Sequence, residues 1–550
     1  MYRDRSSDSA LPARYLTGSC GTCYGVGSQS VIIEFPAAFM TKQIHRMNSR
    51  ILLTTLNARY MHSAFALRYL YANLGDLQRQ SEIIEFTIQQ RPIDIVEQLL
   101  ARSPKIIGFS VYIWNVTETG AVIALLKQVS PQTTVVVGGP EVSFVTDLPA
   151  LAERADFVIT GPGEISFRQL CQDLIRHRPM ASRLIAGRST SLDELELPYA
   201  YYNDEDLRNR LIYVEASRGC PFKCEFCLSS LDQTAKPFEL ERFLDAMEDL
   251  YRRGARNFKF IDRTFNLKAS ASVAILEFFL ARMDDDLYLH FEVIPDHLPL
   301  KLRQVLARFP PGSLQFEIGV QTFDTAIQQI ISRKQNNQNT CDNLRWLRAH
   351  TAAHIHADLI FGLPGDTLEN FAQSFDRLVS LQPQEIQLGI LKRLRGAPIN
   401  RHTDEYQLRY NPAAPYNILS TRDIDFQTMQ RVNRFARFWD MIGNSGRFSN
   451  SLPLILGQHP FERFLRLSDG LYQLAGSTWK ISLRRLFTLL VTVLTDQLEL
   501  NPAQVRKRLD IDFKLSGQKG TIDLDQPELE VVARSGVANK RQRQHRRGSA

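Results

Sequence analysis

Short apolar runs alternate with amphipathic segments along much of the chain, a pattern typical of parallel strands connected by helices. Helical periodicity separates most of the runs in the first part of the sequence. Five of these runs have the length and composition of buried strands: Ile51–Leu56, Glu82–Ile88, Ile106–Val111, Thr134–Val137 and Phe157–Thr160. The pattern therefore predicts a doubly wound α/β domain over residues 48–180.

A second alternation follows residues 181–210, which are mixed and polar and are predicted to form a linker across an interface. A helix with Phe243, Met247 and Leu250 on one face lies between its first two strands. Six runs have strand character: Ile212–Ala216, Phe258–Asp262, Tyr288–Val293, Leu314–Val320, Ile355–Phe361 and Glu385–Ile390. Six strand and helix units predict a partial parallel (β/α)6 barrel over residues 211–402.

Strand patterns fade after the predicted barrel, and helical spacing replaces them. Met429, Phe435 and Trp439 are spaced for one helix face, so residues 403–530 are predicted to form a mostly helical domain. The longest late apolar run, Leu486–Leu494, is too short to cross a bilayer and predicts a buried helix.

The two ends of the chain lack any apolar period. Residues 1–47 are predicted to be a disordered extension, with Met47 as a candidate start. Cys20 and Cys23 form an isolated CxxC there, and two ordinary cysteines are favoured over a metal site because a partner pair is missing. Residues 531–550 are predicted to be a disordered basic tail. A nucleic-acid-binding arm is less favoured, because no aromatic residues are interleaved with the charges.

Composition narrows the class of protein. Hydrophobic residues make up 44% and charged residues 23% of 550 positions, which fits a soluble globular protein of about three or four folding units. Seven cysteines, most of them scattered, do not make a disulfide framework. The first 46 residues contain no apolar stretch long enough for a signal peptide. A cytoplasmic location without a membrane partner is therefore expected.

The strongest chemical signal is a cysteine cluster directly after the first predicted barrel strand, in the segment SRGCPFKCEFC. Cys220, Cys224 and Cys227 would supply the soft thiolates that iron–sulfur clusters require. No fourth cysteine is nearby, so one iron would stay open, as a catalytic metal needs. The alternative is structural zinc, but that site normally has four ligands from paired CxxC elements. A four-iron four-sulfur cluster is therefore favoured.

With Phe226 before the last cysteine, this segment resembles the CxxxCxxC signature of the radical S-adenosylmethionine (SAM) superfamily. The resemblance implies that SAM chelates the open iron and that one-electron reduction cleaves it to a 5′-deoxyadenosyl radical, which takes hydrogen from a substrate. It also implies an electron donor such as flavodoxin or ferredoxin.

Further segments resemble the oxygen-independent coproporphyrinogen oxidase branch, namely Leu314–Phe323, Arg333-Lys334 and Asp358–Gly365. The glycine-rich motif often found after the second barrel strand is replaced here, and Asp262 is the candidate partner for the methionine amino group. Taken singly, each such residue is equally well explained as an ordinary polar residue of a barrel rim. The resemblance implies these contacts to SAM: Phe226, Asp262, Glu292, Gln321, Arg333 and Asp358.

The order of the predicted domains is similar to that of cobalamin-binding radical SAM enzymes that end in a domain of uncharacterised function. This resemblance implies that residues 48–180 bind cobalamin along their strand ends. From spacing alone, tight turns explain the glycines there equally well. The implied cobalamin contacts are Ser110, Gly138, Gly139 and Gly163.

The DxHxxG pattern that supplies a histidine ligand to cobalt does not occur after the first strand. Tyr60 stands in place of the aspartate and Phe65 in place of the glycine, on either side of His62. A cobalt-ligating histidine also needs a carboxylate to orient it. We therefore predict cobalamin without histidine coordination, with His62 as a hydrogen-bonded loop residue.

The leading hypothesis is a radical SAM enzyme that performs cobalamin-dependent methyl transfer or related radical chemistry on an unknown substrate, more often a small molecule than a macromolecule. One alternative is a radical enzyme that modifies tRNA or another macromolecule, with the N-terminal domain as a docking module. A second alternative is a non-catalytic cofactor-binding scaffold. The basic stretch Lys392–Gly396 either favours an anionic substrate or is ordinary exposed surface.

Overall fold

The computed structural model describes residues 50–517. The predictions for residues 1–47, for Cys20 and Cys23, and for the basic tail lie outside this range. The strands are β1 Ile51–Asn57, β2 Ser81–Thr87, β3 Ile106–Ser110, β4 Thr134–Gly138, β5 Phe157–Thr160, β6 Leu184–Ala186, β7 Ile212–Val214, β8 Ser217–Arg218, β9 Lys236–Pro237, β10 Asn257–Phe260, β11 Tyr288–Val293, β12 Leu314–Gln321, β13 His354–Phe361, β14 Glu385–Ile390, β15 Arg409–Tyr410 and β16 Ile418–Ser420.

The helices lie between these strands and then take over the C-terminal part. They are α1 Phe65–Ala72, α2 Pro92–Leu100, α3 Val116–Val129, α4 Leu151–Arg154, α5 Glu164–Ile175, α6 Asp204–Asn209, α7 Leu240–Arg252, α8 Ala269–Leu280, α9 Leu300–Leu306, α10 Thr325–Ile330, α11 Asn337–His350, α12 Leu368–Ser380, α13 Phe426–Ile442, α14 Leu452–Leu456, α15 Pro460–Ala475, α16 Leu483–Thr492 and α17 Pro502–Leu515.

The N-terminal sheet has six parallel strands in the order β2-β1-β3-β4-β5-β6. All seven residues of β1 are buried, because helices cover both faces of the sheet. Leu52 and Leu56 belong to the core on one face, and Ile51 and Leu53 to the core on the other. The predicted doubly wound α/β domain is confirmed.

The sixth strand of this sheet is a difference from the sequence prediction, since β6 lies in the segment expected to be a linker. It pairs with β5 at the sheet edge, with Val158 opposite Leu184. Leu184 and Ala186 are exposed, so the strand has no buried run to reveal it. An edge strand of this length is held by backbone pairing, which leaves little trace in the sequence.

The second sheet also has six parallel strands, in the order β14-β13-β12-β11-β10-β7. Along β12, Leu314, Phe316, Ile318 and Val320 are buried in the core shared with the helices, and the intervening residues are only half-buried. The intervening face contains the polar residues that line a cavity, and helices cover the other. The predicted partial barrel is confirmed.

The C-terminal helices pack on the barrel and share one hydrophobic core with it. The rings of Phe375 on α12 and Phe435 on α13 lie 5.2 Å apart, edge to face. The predicted mostly helical domain is confirmed, and the run from Leu486 forms part of α16. Between residues 50 and 517 there is no helix with the length and apolar character needed to span a membrane.

Candidate functional site

The cysteine loop is closed at its neck by backbone contacts. Strands β8 and β9 pair in antiparallel fashion, and the Cys220 N–H donates to the Asp232 carbonyl at 3.2 Å. Gly219 has φ of +94°, and a Cβ there would lie 2.2 Å from the Thr234 carbonyl oxygen. Only glycine fits that position, so the residue before the first cysteine is fixed by the fold of the loop.

Glu225, between the second and third cysteines, anchors the loop to the barrel. Its carboxylate is 4% exposed and accepts hydrogen bonds from Ser332 Oγ at 2.6 Å and His402 Nε2 at 2.8 Å. Arg401 also pairs with it. Its N–H donates to the Ile331 carbonyl at 3.0 Å. Sequence analysis missed this residue, because its partners lie far away along the chain.

The three cysteines line one cavity of about 260 Å³ at the carboxyl ends of the barrel strands. The structure therefore brings together most of the residues predicted to hold the cluster and SAM. Those that line this cavity are Cys220, Cys224, Cys227, Phe226, Glu292, Gln321, Arg333 and Asp358. Their roles as ligands stay predictions.

Several features of this cavity fit a cluster with a polar organic ligand. Gln321 Oε1 and Asp358 Oδ1 are buried and have no hydrogen-bond partner within residues 50–517. Arg333 Nη1 lies 3.5 Å from Cys224 Sγ, and the Ser229 N–H donates to Cys227 Sγ at 3.4 Å. Donors of this kind stabilise sulfur that carries negative charge. The free oxygens leave acceptors for a ligand with hydroxyl or amino groups.

No three His, Cys, Asp or Glu side chains in the described range converge closely enough to hold a single metal ion. A four-iron cluster instead takes one thiolate at each bound iron, so its ligands surround a volume. Burial raises the pKa of Cys220 and Cys224, and Arg333 only partly offsets this for Cys224. Bound iron would replace these protons, as metals do at thiol sites.

Charged pairs line the barrel interior beside the cysteines. Glu317 accepts hydrogen bonds from Lys259 Nζ at 3.2 Å and His290 Nε2 at 3.1 Å. Burial alone would raise the pKa of Glu317, but these two partners outweigh it and lower the pKa to about 2. Burial, together with the charges of Glu317 and Glu292, raises the pKa of Asp358 well above its usual range. Glu317 is therefore ionised at neutral pH, whereas the environment of Asp358 disfavours its charged form.

Asp262 is placed differently from the sequence prediction and does not line the cysteine cavity. Its carboxylate accepts from the Ala216 N–H at 3.0 Å and from Ser217 Oγ at 2.6 Å, which fixes the strand before the cysteine loop. Its neighbour Arg263 faces the cavity instead and pairs with Glu292 at 2.7 Å. One residue of offset after a strand reverses the direction of a side chain, and sequence spacing did not resolve it.

A second cavity, of about 740 Å³, lies between the strand ends of the N-terminal sheet and the barrel. The N-terminal domain contributes all four residues predicted to contact cobalamin, and the barrel contributes Ile261. Ile261 lines this cavity, while Arg263 lines the cysteine cavity, so the same turn after β10 borders both. The predicted residues are Ser110, Gly138, Gly139 and Gly163.

Of the two adjacent glycines in this cavity, Gly139 is required by its own backbone and Gly138 is not. Gly139 has φ of +107°, and a Cβ there would lie 2.6 Å from the Val111 carbonyl oxygen, so its own backbone requires glycine. A Cβ at Gly138 would lie 3.6 Å from the Ile159 carbonyl oxygen, an ordinary contact. The fold itself therefore tolerates a Cβ at Gly138, which makes that position the informative one for ligand binding.

His62 lines the second cavity and is hydrogen-bonded to the barrel. Its Nδ1 lies 2.7 Å from the hydroxyl of Tyr213 on β7. Burial lowers the pKa of His62, and the charges of Lys259 and Arg59 lower it further. The imidazole is therefore neutral near pH 7, and one ring nitrogen is engaged by Tyr213. This contact agrees with the prediction that His62 is a hydrogen-bonded loop residue.

Arg218, two residues before the first cysteine, lies between the cysteine loop and the second cavity. It pairs with Glu215 at 2.6 Å and with Glu164, at the start of α5, at 2.9 Å. Its guanidinium also lies 4.8 Å from the ring centroid of Tyr69. Arg218 therefore links the cysteine loop to the wall of the second cavity. Sequence analysis included it in the cysteine motif but assigned it no role.

The two arginines in the basic stretch after β14 are paired with acidic residues. Arg393 pairs with Asp147 at 2.6 Å, and Arg395 pairs with Glu141 at 2.8 Å. Both acidic residues belong to the N-terminal domain, in the loop that follows β4. The suggestion that these arginines attract an anionic substrate is therefore not supported, because their charges are already neutralised.

Three family models match the chain in the predicted order. A B12-binding domain matches residues 51–171, the radical SAM superfamily matches residues 214–378, and a protein family of unknown function, DUF4080, matches residues 404–541. The matches confirm the set of domains that the sequence resemblance implied.

Curated relatives and solved structures agree with these matches. TokK of Streptomyces tokunonensis, a cobalamin-dependent radical SAM methyltransferase, is 25% identical over 388 residues, which are 60% of this chain and 53% of TokK. The chain spans about half the length of the curated relatives it matches.

Two solved structures share the fold. OxsB, with aqua-cobalamin and SAM bound, has a TM-score of 0.57 and 14% identity, over 86% of this chain and 80% of that one. TsrM from Kitasatospora setae, with tryptophan and a SAM analogue bound, has a TM-score of 0.54 and 19% identity, over 67% and 80% of the two chains.

Proposed function

We propose that this chain, a protein with a B12-binding domain, a radical SAM domain and a DUF4080 domain in that order, is an enzyme of cobalamin-dependent radical methyl transfer. The observation that supports this most directly is the shared wall between the two cavities, where Ile261 borders one and Arg263 the other. A group can pass between two cofactors only where their sites nearly touch. The methyltransferase relatives support the same reaction class.

In this proposal Cys220, Cys224 and Cys227 hold the four-iron four-sulfur cluster, and the large cavity holds cobalamin. When bound, the cluster with SAM supplies a carbon-centred radical for hydrogen abstraction, and cobalamin supplies the methyl group. The protein itself binds, orients and shields these groups. The N-terminal domain and the barrel together line the large cavity, which limits the access of water to a group bound there.

The residues of the cysteine cavity have separable roles. Arg333 is placed to pair with a carboxylate beside Cys224, as the amino-acid part of SAM requires. Asp358 lines the same cavity and has a buried carboxyl oxygen without a hydrogen-bond partner, which suits ribose hydroxyls. The ionised Glu317 is hydrogen-bonded to Lys259 and His290, so its position and its negative charge inside the barrel are fixed.

The substrate in this proposal is a small molecule that reaches the shared wall, and its identity is open. An external one-electron donor of the flavodoxin or ferredoxin type would reduce the cluster, since neither SAM nor methylcobalamin supplies that electron. No specific contact on the described surface favours a macromolecular substrate over a small one.

The test is anaerobic purification with iron, sulfide and cobalt analysis, followed by reduction in the presence of SAM. We expect 5′-deoxyadenosine from the wild type and none from Cys224→Ala. Cys341→Ala is the matched control, because Cys341 is buried in α11 and does not line the cavity, so this variant should make 5′-deoxyadenosine as the wild type does. Native amounts of 5′-deoxyadenosine from Cys224→Ala would overturn the cluster assignment. A protein that takes up no cobalamin would overturn the methyl-transfer assignment.

A further inference from the structure

The loop after β4 enters the second cavity at one end and contacts the barrel at the other. Gly138, Gly139 and Pro140 line the cavity, and Glu141 and Asp147 follow in the same loop. Any movement of this loop would therefore change both the cavity wall and its distance from the barrel. The contacts that hold the loop decide where a ligand in that cavity sits.

Arg395 makes most of these contacts from a nearly buried position. Its side chain is 10% exposed, and that of Glu141 is 4% exposed. Nε donates to Glu141 Oε1 at 2.8 Å, and Nη1 donates to the Asp147 carbonyl at 2.8 Å and also contacts its carboxylate. The buried charge of Glu141 is neutralised by this contact, so losing Arg395 leaves an unpaired anion in the interface.

The start of the DUF4080 region also contacts the Arg395 side chain, through Tyr416. Nη2 donates to the Tyr416 hydroxyl at 3.0 Å, and the guanidinium lies 4.9 Å from the Tyr416 ring centroid. The backbone around Tyr416 is fastened to the segment after β14, since the Arg393 N–H donates to the Tyr416 carbonyl at 3.0 Å. Ala414 packs against the hydrophobic core of the N-terminal domain. The same short segment therefore touches both the barrel and the first domain.

Close packing adds to the ion pairs at this interface. A Cβ at Gly396 would lie 2.9 Å from the ring of Phe144, so the ring rests directly on the glycine backbone. Arg393 adds a second pair with Asp147 at 2.6 Å, in a more exposed position. Ion pairs and ring packing converge on one loop, and Ala414 contacts the core of the same domain, a combination that a chance surface contact does not explain.

We propose that Arg393, Arg395 and residues 409–420 form an interdomain clamp that sets the spacing between the two cavities. The start of the DUF4080 region thereby gains a structural role, because it holds the B12-binding domain in register with the barrel. The spacing matters for catalysis only on the proposed function, whereas the clamp itself can be tested without any cofactor. Arg395 is a positioning residue here, since it acts through the loop and lines neither cavity.

The experiment compares Arg395→Met with Arg422→Met in the full chain. Arg422 also stacks on a tyrosine, Tyr406, and pairs with an acidic neighbour, Asp423, but it does not face the first domain. In cofactor-free protein we expect hydrogen exchange in residues 139–147 to become at least about tenfold faster in Arg395→Met, because local opening is no longer opposed by the buried pair. Arg422→Met should exchange as the wild type does.

A second readout uses hydroxocobalamin as the probe. Arg395→Met should weaken its binding by about tenfold or more while iron content and reductive cleavage of SAM stay at wild-type values. Glu141→Gln should act in the same direction, and the effect of the double variant should fall clearly short of the sum of the two single effects. Arg395→Lys keeps the positive charge, so hydrogen exchange in residues 139–147 should be slower than in Arg395→Met.

Unchanged exchange in residues 139–147 of Arg395→Met would overturn the clamp, and so would strictly additive effects with Glu141→Gln. If Arg395→Met is insoluble, Glu141→Gln alone is measured, and unchanged exchange in residues 139–147 of that variant would overturn the clamp. A wild type that binds no hydroxocobalamin would refute the proposed function. The exchange comparison would still decide the clamp.

Discussion

Replacing Glu225 with alanine should detach the cysteine loop from the barrel without touching a cysteine. Glu225 accepts from Ser332 and His402, and its carboxylate is 4% exposed. Breaking a buried pair by removing one partner costs about 3–5 kcal/mol. Arg401 is 63% exposed, so its share is at most about 1 kcal/mol. The buried bonds to Ser332 and His402 contribute most, and we expect a loss of about 3 kcal/mol.

Two measurements check this expectation. Denaturant unfolding of cofactor-free Glu225→Ala should show the loss of stability, and anaerobic reconstitution should leave it short of iron and sulfide. Glu225→Gln keeps an acceptor for Ser332. It should therefore retain more of the stability, and more of the iron and sulfide, than Glu225→Ala does. Glu241→Ala, at an exposed position on α7, is the control and should behave as the wild type. Full iron content and unchanged stability in Glu225→Ala would show that the loop is held by its backbone alone.

Three further predictions address the second cavity and the buried carboxyl of Asp262. Gly138→Val should weaken hydroxocobalamin binding and leave iron content unchanged, because the fold tolerates a Cβ there; wild-type affinity would place the ligand elsewhere. His62→Ala should leave both the affinity and the base-off absorption spectrum unchanged, and a spectral shift would reveal cobalt coordination. Burial raises the pKa of Asp262 to about 7, so the folded protein binds the proton more tightly than the unfolded chain and loses stability as pH rises from about 4 to about 7. Asp262→Asn should therefore be more stable relative to the wild type at pH 8 than at pH 5, by up to about 3 kcal/mol, and a pH-independent difference in unfolding free energy would contradict this.

The fold was predictable where burial produces a regular pattern. The fully buried β1 appears in the sequence as an apolar run and β12 as an alternation of apolar and polar residues, and the parallel order follows from the helices between the strands. The edge strand β6 was missed because an exposed strand of this length has no apolar run. The predicted linker also contains the buried Asp206, whose pairing with Arg68 at 2.6 Å ties it to the first domain. Long-range ion pairs of this kind cannot be deduced from local periodicity.

The site was predictable only where chemistry imposes spacing on one short segment. The three cysteines lie within one loop, so their spacing reveals their common role, whereas Glu225 has partners on two distant segments and a motif gives no sign of them. Asp262 and Arg263 are adjacent, and only the backbone direction after β10 decides that Arg263 faces the cavity.

The stretch Lys392–Gly396 shows the same principle for charge. Its sequence is equally compatible with a free basic rim and with a neutralised one, because the acidic partners of Arg393 and Arg395 lie in the N-terminal domain. A charge attracts a ligand only if the fold leaves it unpaired, and pairing is a property of tertiary structure. Here the pairing converts an apparent substrate-attracting edge into the contact that joins the two domains. The search for substrate-binding residues should therefore move to the wall between the cavities, where Ile261 and Arg263 meet.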